Sequence, residues 1–396
     1  MIISSLICEY NPFHNGHRYL LEQMRKSGAD CIIACMSGNF TQRGTPAVMD
    51  KFVRTQAALL GGADLVLELP VTYACAGAER FASGGVFLLN ALGCVHFLYF
   101  GSECGNLAML ERASSAVTDP MVQQRLRHYL SQGMTFAAAR EKAVQQCFGT
   151  ETASVLQEPN NILAAEYLKA LRILNSPLIP RTIRRTGASH DSTEAVSGFA
   201  SASLLRERLY RGQDIHSFVP GEVLSLYNTD NSIPLGTTRQ DQLEIAILSR
   251  LRAMSREELS RLPDMSEGLE NRLWEAIQQG TNTESIQQYA KCKRYPLSRL
   301  RRSLLHAFLG ITQEDQRIPP SYLRILGFNQ VGRKALSEIR RTASLPMITR
   351  WAQVRSLGED ARHLFALESR CDDLYHLSDR VISPCGTNCR HGIVIK

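Results

Sequence analysis

Short apolar runs alternate with amphipathic stretches along the first part of the chain. Ile2-Ile3-Ser4-Ser5-Leu6-Ile7-Cys8 has strand length and is closed by Asn11-Pro12, because proline has no N–H to give a ladder. Arg18-Tyr19-Leu20-Leu21-Glu22-Gln23-Met24 then reads as a helix. Residues 29–36 read as a second strand, and a helix from Lys51 to Leu60 ends at Gly61-Gly62. Residues 63–69 form a third strand stopped by Pro70. A helix from Ala76 to Leu92 and a fourth strand from Val95 to Phe100, ending in Gly101, follow. This rhythm predicts a parallel, doubly wound sheet, with the loops after Cys8, Met36 and Phe100 sharing one edge.

Residues 105–175 read as four helices, and Ile179 to Arg185 as a strand able to close the sheet. From about Ala202 onward the pattern is helical with short loops. The expected fold class is therefore α/β: a Rossmann-like parallel-sheet domain over 1–215, followed by a basic, mainly helical domain over 216–396.

Composition adds little, since 396 residues with 44% apolar side chains are ordinary for a soluble two-domain protein. No apolar run reaches the about 18 residues of a membrane span. The N-terminus lacks the basic start and cleavage site of a secretory signal, so no membrane partner and a cytoplasmic location are expected. Eleven cysteines are present, but Cys8, Cys31, Cys35 and Cys94 lie in apolar strand-like runs and read as buried thiols. Cys385-x-x-x-Cys389-x-His391, with Cys371 nearby, lacks a second Cys-x-x-Cys pair, and no metal site is assigned to it.

Charge is more telling. Between Thr281 and Arg350 thirteen Lys/Arg face four acids, so this window carries +9 of a net +7 and the remainder is near −2. A localised excess of this kind suits a polyanion partner. Lys291, Lys293 and Arg294 lead into an amphipathic helix whose apolar face holds Leu297, Leu300, Leu304, Ala307, Phe308 and Ile311. Arg299, Arg302 and His306 are expected to point elsewhere. Lys291, Lys293, Arg294, Arg299, Arg301 and Arg302 are the candidate RNA-binding residues; the bland alternative is a solvated face.

The chemistry lies in the turn after the first strand. His14-Asn15-Gly16-His17 opens a helix, whose free N–H groups and dipole make an anion site. Gly16 allows close approach to the backbone. Two imidazoles three residues apart share a helix face and can donate to a phosphoryl group that gains charge as pyrophosphate leaves. The alternative for such a pair is an incidental or metal-binding arrangement. A second constellation, Ser201-Ala202-Ser203-Leu204-Leu205-Arg206, places hydroxyls and a guanidinium at a helix start. Ser201 or Ser203 would cap it, and Arg206 would fork onto phosphate oxygens. Asp50, Lys51 and Arg54 would either contact triphosphate or RNA or form a surface ion pair.

The segment from Cys8 to His17 resembles the H-x-G-H signature of the nucleotidyltransferase superfamily. With Met36-Ser37-Gly38-Asn39-Phe40-Thr41-Gln42-Arg43-Gly44, Asp50-Lys51 and Leu67-Glu68-Leu69-Pro70 it resembles, more narrowly, the bacterial tRNA(Met) cytidine acetate ligase family. Ser201 to Arg206 resembles the triphosphate element of adenylyltransferases, not the Lys-Met-Ser-Lys-Ser loop of class I synthetases.

The resemblance implies ATP-dependent ligation of acetate to the exocyclic amine of the wobble cytidine in elongator tRNA(Met), through an acetyl-adenylate. AMP and pyrophosphate would be released, Mg²⁺ would accompany ATP, and no obligate protein partner is inferred. The 1–215 domain would then be the ATP-binding catalytic part and 216–396 the tRNA-binding part. His14, His17 and Arg206 would be catalytic. Ile7, Cys8, Glu9, Tyr10, Asn11, Pro12, Phe13, Asn15, Gly16, Leu20, Gly101, Asn160, Arg185 and Ser203 would join the two histidines in holding the nucleotide. Asn161 could take the place of Asn160, and either could instead cap a helix. A small-molecule adenylyltransferase is the alternative activity, and an RNA-binding protein with a decayed nucleotide site a third reading.

Overall fold

The computed structural model describes residues 1–185, 198–229, 237–379 and 381–396. Five parallel strands form its centre: β1 (Ile3–Cys8), β2 (Cys31–Ser37), β3 (Leu65–Leu69), β4 (Phe97–Ser102) and β5 (Ile179–Arg184). Their order is β5-β4-β1-β2-β3, so the winding reverses between β1 and β4. A doubly wound sheet opens its binding crevice there, outside the carboxyl ends of the strands.

Period-two alternation splits the strand side chains between two cores. Ile3, Cys31, Ile33, Cys35, Leu65 and Leu67 pack on one face, and Leu6, Cys8, Ile32, Ala34, Met36 and Val66 on the other. Cys8, Cys31, Cys35 and Cys94 are buried free thiols within these cores, as the sequence reading expects.

The second half of the chain is not helical throughout. β6 (Leu323–Phe328) returns to the sheet and pairs antiparallel with β3, while β7 (Met347–Ile348) and β8 (Val394–Ile395) pair with β6. The parallel sheet thus gains an antiparallel edge drawn from the far end of the sequence. Gly327 permits this contact: a Cβ there would come within 2.7 Å of Thr55 and 2.8 Å of the Val394 carbonyl.

The helix Leu297–Leu309 is buried on two sides. Leu300, Leu304 and Ala307 enter one cluster; Leu305, Phe308 and Leu309 join Phe40, Val71 and Cys75 in another. His306, expected on the polar face, is wholly buried instead. Its Nε2 donates to the Cys75 carbonyl at 2.7 Å, and its Nδ1 has no partner among the described residues.

Burial pushes the His306 ring down from 6.5 to about 4. The neutral form is thus the one the fold holds. Its contribution is complete above pH 6.5 and is lost as pH falls through the folded value, because the unfolded chain takes the proton first. Stability is expected to decline between these limits, and His306→Gln, which keeps a donor for Cys75, to flatten the slope. The removed slope is at most about 1.4 kcal/mol per pH unit, read by urea unfolding across the pH series.

Candidate active site

The chain leaves β1 through a turn whose backbone is held from several directions. Tyr10 adopts a φ of 48°, a conformation that costs a non-glycine residue about 1–3 kcal/mol and persists only when surroundings enforce it. The Asn11-Pro12 bond is cis. Arg54 donates to the carbonyl of Glu9 at 2.5 Å, and Arg206 to that of Asn11 at 2.8 Å. The Asn11 side chain accepts from the Val48 amide, and the Phe13 amide donates to the Tyr227 hydroxyl at 3.0 Å.

The helix α1 (Asn15–Lys26) then begins with a histidine capping box. His14 is the N-cap, and its Nδ1 accepts from the Gly16 amide at 3.0 Å. His17 answers with Nδ1 accepting from the His14 amide at 3.3 Å. Both rings spend Nδ1 as an acceptor, so each carries its proton on Nε2. They stack with centroids 3.8 Å apart. Burial lowers both pKa values, His14 to about 3, and each is pushed further by nearby charge: Arg185 and Arg206 for His14, the His14 ring and Arg185 for His17. The pair therefore stays neutral at physiological pH and offers two N–H donors.

Gly16 matters for a reason the sequence did not reveal. A Cβ there would stand 2.9 Å from the His14 ring, so glycine leaves room for the cap itself.

These groups line a cleft at the edge where the winding reverses. Of the residues named from sequence, Ile7, Cys8, Glu9, Tyr10, Asn11, His14, Gly16, His17, Leu20, Gly101, Asn160, Arg185 and Arg206 form its wall. Gly101 sits at the end of β4, where a Cβ would press to 3.2 Å from the Arg185 side chain. Pro12, Phe13, Asn15 and Ser203 stand outside that wall. Phe13 is buried against Gly61, and Asn15 donates to the carbonyls of Gly198 and Ser217. Ser201 is the N-cap of the helix Ala202–Tyr210, while Ser203 accepts from Arg206 at 3.0 Å and so aims the guanidinium.

The two asparagines divide their work. Asn161 is buried, and its carbonyl oxygen accepts from the amides of Glu103 and Cys104 at 2.9 and 3.2 Å. Asn160 reaches the cleft.

The sequence reading left Thr41, Gln42, Arg43 and Thr45 without a role, yet all four enter the wall. The signal was the shared edge: their loop follows β2. Glu9 accepts from the Gln42 amide at 2.7 Å; burial raises its pKa, and that amide and the charges of Arg206, Arg54 and Arg43 pull it back. Leu163 and Tyr167 join Asn160 along one face of the helix Pro159–Ile173.

Neither sequence reading of Lys51 and Arg54 holds, because both are fully buried. Arg54 also donates to carbonyls of Met49, Ser37 and Gly38, lacing the ends of β1 and β2 together. Lys51 lies between Glu68 and Asp372 at 2.7 and 2.6 Å.

Of the six candidate RNA-binding residues, Lys291, Lys293, Arg294 and Arg301 are exposed. Arg299 instead donates to the Asp264 carbonyl and the Ser266 hydroxyl, and Arg302 is half-buried 3.9 Å from the Asp264 carboxylate. Among the described residues no group of three or more His, Cys, Asp or Glu is placed to hold a metal; His391 stacks flat on Phe52. No described helix is long and apolar enough to cross a membrane.

The family described as HIGH Nucleotidyl Transferase matches residues 1–386. The tRNA(Met) cytidine acetate ligase of Thermoanaerobacter pseudethanolicus is 37% identical over 402 residues, covering all of both chains. That of Caldanaerobacter subterraneus subsp. tengcongensis is 38% identical over 381 residues, 94% of each. Among solved structures, Thermotoga maritima TmcAL in its apo form has a TM-score of 0.94 at 30% identity, covering 100% of this chain and 99% of that one. The same protein bound with alpha-thio ATP has a TM-score of 0.89 at 30% identity and full coverage of both.

Proposed function

This chain belongs to the tRNA(Met) cytidine acetate ligase family of HIGH nucleotidyl transferases, and from that premise we propose that it joins acetate to the exocyclic amine of the wobble cytidine in elongator tRNA(Met), using ATP. An acetate oxygen attacks the α-phosphorus, and the bond to the bridging oxygen of pyrophosphate breaks. The cytidine amine then attacks the acetyl carbon, the acyl–phosphate C–O bond breaks, the amine loses a proton and AMP leaves.

The observation that carries this reading is the neutral imidazole pair at the start of α1, flanked by Arg206 and Arg185. Two fixed N–H donors oppose the charge that grows on the α-phosphate and departing pyrophosphate, with no reorganisation at the moment of reaction. Arg206, aimed by Ser203 and by the Asn11 carbonyl, takes the triphosphate tail. Gly101 and Asn160 face the nucleoside across the crevice.

Mg²⁺ fits this wall only as a companion of the phosphates. Glu9 is the one carboxylate among the described lining residues, so these offer a single charged ligand, and the ion would neutralise triphosphate charge when bound. The exposed cations Lys291, Lys293, Arg294 and Arg301 position the tRNA through its phosphates. A tRNA substrate supports a cytoplasmic location.

The test is incubation with labelled acetate, ATP and total tRNA. Label in one tRNA species, with AMP released in equal amount, is expected. ATP consumed without label entering RNA overturns the reading.

A further inference from the structure

A second cavity adjoins the nucleotide cleft and shares Thr45 and Arg206 with it. It lies at the seam between residues 44–46, the helix Ala202–Tyr210 and the helices Thr237–Ala253, Thr283–Ala290 and Leu297–Leu309. The seam is tight: Gly44 has a φ of 76°, and a Cβ there would meet the Arg302 backbone at 2.6 Å. Ligand cavities favour such boundaries between parts of a fold.

We propose that this cavity receives the target pyrimidine, swung out of its RNA loop, and presents its exocyclic amine to the acyl-adenylate. The inference rests on the ligase reading above, since it supplies that reaction's second substrate.

Three observations support it. Attack requires the amine within about 3–3.5 Å of the acyl carbon, so the base must sit against the nucleotide cleft, and this cavity has a wall in common with it. Ile247, Leu304 and Leu305 give it aliphatic surfaces for a flat ring. Its polar groups suit a base edge that mixes donors and acceptors. The Glu244 carboxylate is fixed by the Thr283 amide and hydroxyl and retains acceptor capacity. Gln287 orients the Arg301 guanidinium, its Oε1 accepting from Nε at 3.3 Å.

Charge complementarity names the polymer. Arg301 is both a cavity residue and one of the exposed cations, and Lys291 lies one turn beyond Gln287 at the end of the helix Thr283–Ala290. A phosphate track therefore leads to the cavity mouth, as a flipped base requires.

Two variants test this in the full-length protein. Ile247→Trp fills the cavity from a half-buried position, and Gln287→Ala frees Arg301. Acetate-dependent ATP–pyrophosphate exchange reports the first half-reaction; acetyl transfer to tRNA reports the second. For Ile247→Trp the expected result is exchange within about twofold of wild type and transfer reduced about 100-fold, the scale of loss when a reacting group is misplaced. Gln287→Ala is expected to lower transfer in the same selective way. Wild-type transfer by Ile247→Trp overturns the proposal. Loss of exchange in both variants also overturns it, since the cavity would then belong to the nucleotide site. Absence of exchange in the wild-type protein would instead overturn the ligase reading itself.

Discussion

His17→Ala is expected to reduce acetate-dependent ATP–pyrophosphate exchange by about 10²–10³-fold while leaving tRNA affinity and its salt dependence unchanged. The magnitude is that of removing one preorganised donor from a site where charge develops. The substitution also frees the His14 amide, which His17 Nδ1 accepts, and takes away the ring against which His14 stacks. A purely structural role would appear as lost thermal stability with a proportionate loss of tRNA binding. His17→Asn, whose amide can both accept and donate, is expected to recover part of the exchange rate.

The pH profile gives an independent reading of the same pair. With His14 held near 3 by burial and by Arg185 and Arg206, the neutral form persists as pH falls through the usual imidazole value. An exchange rate that halves near pH 6.5 through protonation of these rings would contradict the donor assignment.

Much of this site was legible because its signals are local. An apolar run, a proline, a glycine and two histidines in close succession specify strand, turn and helix start without help from the rest of the chain. Contacts made across long separations were not legible. Ser203 reads as a helix cap from spacing and as a nucleotide ligand only through the family resemblance; that its hydroxyl accepts from Arg206 shows only in the fold. The identity of Asn161 as a brace for the loop after β4 depends on Glu103 and Cys104, 58 and 57 residues earlier. β6 escaped notice because six residues between helical segments carry no sign that their partner is β3. His306 reads as polar on a helical wheel, but Cys75, 231 residues away, supplies the acceptor that admits it to the core.

Lys51 is the extreme case, and Lys51→Met is expected to destabilise the protein by about 3–5 kcal/mol at neutral pH, because breaking a buried ion pair strands its partners. The ammonium is wholly buried and touches Glu68 at 2.7 Å, Asp372 at 2.6 Å and the Asn388 side chain at 3.2 Å. Asp372 lies 321 residues further along, on the helix Glu359–Tyr375, so this one cation ties the parallel sheet to the C-terminal helices. Asn39 completes the tie, donating to both Asp50 and Asp372 and accepting from the Lys51 amide.

The acids already strain against one another. Burial, with Glu68 nearby, pushes Asp372 up to about 6 despite the pull of Lys51, and burial with the same Glu68 charge raises Glu368 well above the carboxylate range. A carboxyl group raised in the folded state favours folding at low pH and loses that contribution as pH rises through the folded value. Without Lys51 the Asp372 value rises further. The deficit of Lys51→Met against wild type should therefore be largest near neutrality and shrink toward about pH 5, read as the difference in urea midpoints across pH. Adding Asp372→Leu and Glu68→Leu removes the stranded charges and should recover part of the loss. A deficit below about 1 kcal/mol, the range of a solvated surface pair, would show that the three groups do not hold the two halves together.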